Sequence, residues 1–144
     1  MTRPKIDLPF PTDESLAELV EKFEACTWPY ERWTHRAHLG VGTWYVSRMP
    51  YAEALTRIRH HIDLYNRTVG DPNGYHETIT QLFLRRIEKQ VRARPPQETL
   101  AAIVERLTRE CDMGWIYRYY SQPRIWSAEA RRAWVEPDIA RLDF

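Results

Sequence analysis

The sequence predicts an all-α fold, a compact single-domain bundle of about five helices with a short C-terminal helix and tail. Three observations carry this. Apolar residues recur at helical spacing in five successive segments. Prolines and glycines punctuate the boundaries between those segments. Only Trp115-Ile116-Tyr117-Arg118-Tyr119-Tyr120 suits a strand as well as a helical turn, and a lone strand has no partner, so helix or coil is favoured there.

Residues 1–12 hold three prolines and read as an extended N-terminal arm. Asp13 is placed to cap a helix starting at Glu14, with Leu16, Leu19, Val20, Phe23 and Cys26 on one face. Trp28-Pro29 ends it, because a residue before proline avoids the helical region. Thr34 is the natural cap of a second helix reaching about Arg48, closed by Met49-Pro50. A third helix is expected over about 51–68, then the turn Gly70-Asp71-Pro72-Asn73-Gly74. A fourth spans about 75–93 up to Pro95-Pro96, and a fifth about 97–113 up to Gly114. Ser127 caps a short helix to about Val135, and Pro137 opens the tail.

At 144 residues the chain is one domain, 1–144, large enough to bury a core without a disulfide or structural metal. Cys26 and Cys111 are too few and too far apart for a disulfide scaffold. No apolar leader and no membrane-length apolar run is visible, so the expected compartment is a reducing cytoplasm with no membrane partner. The net charge of +1 gives no global field for nucleic acid, and no nucleic-acid-binding signature occurs. The basic residues between Arg32 and Arg94 are expected to form a solvated face paired with acids, the alternative being that they steer a small anionic substrate toward the site. Phosphate-binding and nucleophile-elbow motifs are absent too.

The histidines carry the chemistry. His35 and His38 lie three apart on the more apolar face of the second helix, with Gly42 one turn beyond His38. Gly42 leaves space either for a ligand or for close approach of a neighbouring helix. His76 falls in the first turn of the fourth helix, where desolvation and the helix dipole both favour a neutral ring. Three inward imidazoles from two helices suit a divalent transition metal, zinc or iron, with an open position for water. Glu77 beside them is a candidate acid/base group or fourth ligand. On this reading the chain is a metal-dependent enzyme acting on a small polar substrate. The alternatives are a metal-free pocket of the same residues, a non-enzymatic module holding a small molecule or partner among aromatics, and purely structural histidines. A homo-oligomer through the Trp/Tyr-rich C-terminal third also stays open. His61 flanks an apolar stripe and is a further candidate ligand, while His60 should face solvent.

The blocks Arg32-Trp33-Thr34-His35-Arg36-Ala37-His38-Leu39, Gly74-Tyr75-His76-Glu77-Thr78-Ile79-Thr80 and Arg131-Arg132-Ala133-Trp134-Val135-Glu136-Pro137-Asp138 resemble those of an uncharacterised family of small bacterial proteins. The resemblance implies that His35, His38, His76 and Glu77 are its motif positions, and it implies no activity. The small helical proteins of the DinB-like group, which bind metal through three histidines, are a weaker analogy. There the single histidine precedes the pair, and here the pair comes first.

Overall fold

The chain first turns helical at Asp13, where the Thr12 hydroxyl accepts from the Ser15 amide and Ser15 in turn accepts from Thr12. This reciprocal box places the cap one residue before the Asp13 expected from sequence. Asp13 instead accepts a hydrogen bond from the Ala101 amide across the fold. The computed structural model describes residues 4–144. The arm expected over 1–12 is therefore seen from residue 4 onward, where it is non-helical up to the cap, and residues 1–3 lie outside the described part. Ile6 donates to the Glu31 carbonyl, which ties the arm to the turn before the second helix.

The helices are α1 (Asp13–Glu24), α2 (His35–Arg48), α3 (Tyr51–Thr68), α4 (Glu77–Arg92), α5 (Leu100–Glu110), α6 (Gln122–Ile125) and α7 (Ala128–Arg132), with no strand among the described residues. Helical turns of the tighter 3₁₀ kind occupy Tyr30–Arg32 and Met113–Arg118. The aromatic segment after Gly114 thus resolves as helix, in accord with its lack of a strand partner. Thr34, Thr99, Ser121 and Ser127 each cap a helix through the side-chain oxygen.

α2 is the central rod, packed against α1, α3, α4 and α5. Small residues let it sit there. A side chain at Gly40 would meet Leu19 Cδ2 at 2.9 Å and Leu16 Cδ2 at 3.1 Å on α1. A side chain at Gly42 would meet Ile87 Cδ1 at 2.8 Å on α4. Gly40→Val is accordingly expected to destabilise the protein by about 1–3 kcal/mol through overpacking, read as a lower midpoint in urea.

The C-terminal third folds back onto the start of α4. The Thr78 hydroxyl donates to the Ala133 carbonyl at 2.8 Å and accepts from the Val135 amide at 3.2 Å. Tyr120 donates to the Val135 carbonyl at 2.7 Å. Trp115, Tyr119 and Tyr120 are buried within this same chain, so those aromatics are spent on its own core. The basic middle of the chain is largely paired with acids: Arg36 with Asp7 and Glu105, Arg57 with Glu53, Arg67 with Asp63, Arg86 with Glu110 and Arg92 with Glu88. No described helix is long and apolar enough to cross a membrane.

Candidate functional site

Three helices meet around a cavity of about 530 Å³, a size suited to a small molecule. α2 and α4 begin at its mouth and α3 ends there. His35, His38 and His76 all line it, as the sequence led one to expect of inward imidazoles. Each is used differently.

His76 is the N-cap of α4, one residue before the helix rather than in its first turn. Its Nδ1 accepts from the Ile79 amide at 3.1 Å. Its Nε2 lies 2.6 Å from the Ile125 carbonyl, which only accepts, so Nε2 carries the proton. Both ring nitrogens are occupied and the ring is neutral. Burial, the largest influence, lowers its pKa, and the nearby Arg131 adds to this.

On α2, the His35 Nε2–H donates to the Cys111 carbonyl at 2.7 Å, which leaves Nδ1 as a bare acceptor. The His38 Nδ1–H donates to the Thr34 carbonyl at 2.7 Å, which leaves Nε2 as a bare acceptor. The His38 ring stacks on Trp33 with centroids 3.8 Å apart. His38 is exposed at the cavity, with Trp33 against one face of its ring. Desolvation by the atoms packed around it is the main cause lowering its pKa, to about 4. His35 is lowered by the same cause.

Among the described residues no three His, Cys, Asp or Glu side chains form a group placed to hold a metal ion. A metal on His35, His38 and His76 together would require His76 to release either the helix it caps or the Ile125 carbonyl. Glu77 is not aimed at the cavity. Its carboxylate is fully engaged by the Arg59 guanidinium at 2.9 Å, the Tyr75 hydroxyl at 2.8 Å and the Gln81 amide. Burial pushes its pKa up, but these donors outweigh burial and hold the carboxyl below its ordinary range. His61 lies outside the cavity wall, 3.5 Å from the Glu24 carboxylate that also accepts from Tyr45.

In comparisons with known proteins, no family model, no curated protein and no solved structure matches the chain.

The structure adds Asn66, which sequence reading passed over. Its residue is 7% exposed and lines the cavity, and among the described residues its amide makes no hydrogen bond. Gly70 and Gly74 border it: a side chain at Gly70 would come within 3.0 Å of Oδ1, and one at Gly74 would meet the Asp71 carbonyl at 3.2 Å and stand in ordinary contact with Nδ2 at 3.4 Å. Those glycines serve close approach rather than unusual backbone angles, because neither has a positive φ. The signal available in sequence was a polar residue among the apolar positions of α3, beside a glycine-flanked turn.

Imidazoles with lowered pKa make stability pH-dependent. His35, His38 and His76 each have a folded-state pKa below the unfolded value near 6.5. The unfolded chain therefore binds more protons in the interval between, and stability falls as pH drops. The loss should begin near pH 6.5 and, for His38, continue to about pH 4. Melting temperatures measured from pH 8 downward should show this decline, and His38→Gln should flatten it.

Proposed function

We propose that this chain is a small-molecule-binding module whose ligand sits in the cavity between α2, α3 and α4. The observation that carries the reading is the pair of bare imidazole acceptors, His35 Nδ1 and His38 Nε2, on the wall of a cavity of ligand size. A backbone carbonyl fixes the tautomer of each ring, so the two lone pairs are presented without reorganisation. Desolvation lowers the pKa of both rings and so favours the neutral form, which suits them to receive hydrogen bonds from a ligand.

The test is backbone-amide NMR with indole, phenol, cyclohexanol and octanamide as probes. Binding should move the resonances of residues 35–42, 58–66 and 76–87 together. Perturbations confined to the outer surface would reject the reading. Elemental analysis and titration with zinc, iron(II), copper and nickel on untagged protein form the second arm. Stoichiometric metal that is lost in both His35→Ala and His38→Ala would favour the metalloenzyme reading instead.

A further inference from the structure

The cavity has a polar end and an apolar end. Because α2 and α4 start at the mouth and α3 finishes there, residue number measures depth. His35 and His38 on α2 and Asn66 on α3 lie near the mouth, beside the exposed Asp71–Gly74 turn. Val41, Ile58, Ile62, Leu84 and Ile87 lie one to three turns deeper and are buried. From residue 35 to 42 a helix advances about 10 Å, and from 58 to 66 about 12 Å. The deep part offers no charged group to a ligand.

The mouth offers uncommitted polar atoms of distinct kinds. His35 Nδ1 and His38 Nε2 only accept. The Asn66 amide both donates and accepts. Arg131 from α7 makes no ion pair among the described residues, and its guanidinium lies 5.6 Å from the Trp126 ring. Asp71, the carboxylate of the wall, accepts from the Asn73 amide at 2.9 Å.

Building on the reading of this cavity as a ligand site, we propose that it takes an amphipathic monocarboxylate with an internal secondary amide, the chemistry of an N-acyl amino acid. The apolar acyl tail enters first and lies along Val41, Ile58, Ile62 and Ile87. The amide N–H donates to an imidazole lone pair, and the amide carbonyl accepts from Asn66 Nδ2. The carboxylate stays at the mouth with Arg131. Each polar group of such a ligand meets a protein atom of the complementary kind, whereas an ionised fatty acid has no N–H to give either imidazole acceptor.

Calorimetry and amide NMR with N-octanoylglycine test this. Its methyl ester lacks the charge, N-octanoyl-N-methylglycine lacks the N–H, and octanamide keeps only tail and amide. The parent acid should bind about tenfold more tightly than either derivative. Arg131→Gln, at an exposed position, should erase the preference for acid over ester, and Asn66→Ala should weaken acid and ester alike. Equal binding of acid and ester, or a preference that survives Arg131→Gln, overturns the proposal while leaving the cavity a ligand site. If no octanoyl compound moves the cavity resonances the proposal falls, and only if indole, phenol and cyclohexanol also fail does the ligand-site reading fall with it. Circular dichroism establishes that each variant is folded.

Discussion

Replacing His76 with alanine is expected to destabilise the protein by about 3 kcal/mol, combining a lost helix cap with a buried carbonyl left unpaired. His76 is 6% exposed and holds two segments at once. Through Nδ1 it satisfies the Ile79 amide at the start of α4, and through Nε2–H it satisfies the Ile125 carbonyl at the end of α6. A loss of this size corresponds to a fall in melting temperature of about 10 °C for a domain of this length. His76→Asn separates the cap from the hydrogen bond to Ile125. Asparagine is a strong N-cap, so it should recover about 1 kcal/mol, although it is too short to reach Ile125. Denaturant midpoints for wild type and the two variants check the order. Equal destabilisation by Ala and Asn would show that the cap contributes nothing.

Glu77→Ala should cost about 2–3 kcal/mol. The variant removes the acceptor shared by Arg59, Tyr75 and Gln81, and breaking a buried pair is costly because its partners are stranded. The figure sits at the low end of that class because the Arg59 side chain is 44% exposed and can regain water. Glu77→Gln keeps the shape but turns an N–H donor toward donors, so it should rescue little. A double-mutant cycle with Arg59→Ala measures the coupling directly: the loss on Glu77→Ala should be smaller when Arg59 is already gone. Additive losses would show that the ion pair is not what Glu77 supplies. Tyr75 reports on the same network, since burial and then the neighbouring carboxylate raise its hydroxyl pKa far above normal. Loss of Glu77 should bring it down, read by ultraviolet titration.

Much of the bundle was legible in the chain because its cues are local. Thr34 and Ser127 cap the helices they were expected to cap, and Met49-Pro50 and the Gly70–Gly74 turn end elements as read. The errors at boundaries have local causes as well. Thr12 displaced Asp13 as a cap because Ser15 could reciprocate, and Asp13 was drawn across to Ala101. The fifth helix starts at Leu100 because Thr99 offers a better cap than the residues following Pro95-Pro96. The short last helix stops at Arg132, since Thr78 takes up the Ala133 and Val135 backbone groups.

Three histidines of the candidate cavity were legible, but not their roles. Helical phase puts His35 and His38 on one side of α2, because the 3.6-residue period is a property of the local backbone, whereas His76 reaches the cavity from the cap position before α4. What each imidazole does depends on which carbonyl stands opposite it: that of His38 is local, from Thr34, but those of His35 and His76 come from distant segments. Cys111 lies 76 residues from His35 and Ile125 lies 49 from His76. No local pattern encodes such pairings. The same holds for Glu77, whose neighbour Arg59 comes from another helix, and for Asn66, whose significance depends on two glycines packed over it. The sequence by itself determined the helices, their punctuation and the inward faces. Only the tertiary structure decided which nitrogens of His35 and His76 are occupied and which are open, because hydrogen bonds across the fold fix those two tautomers.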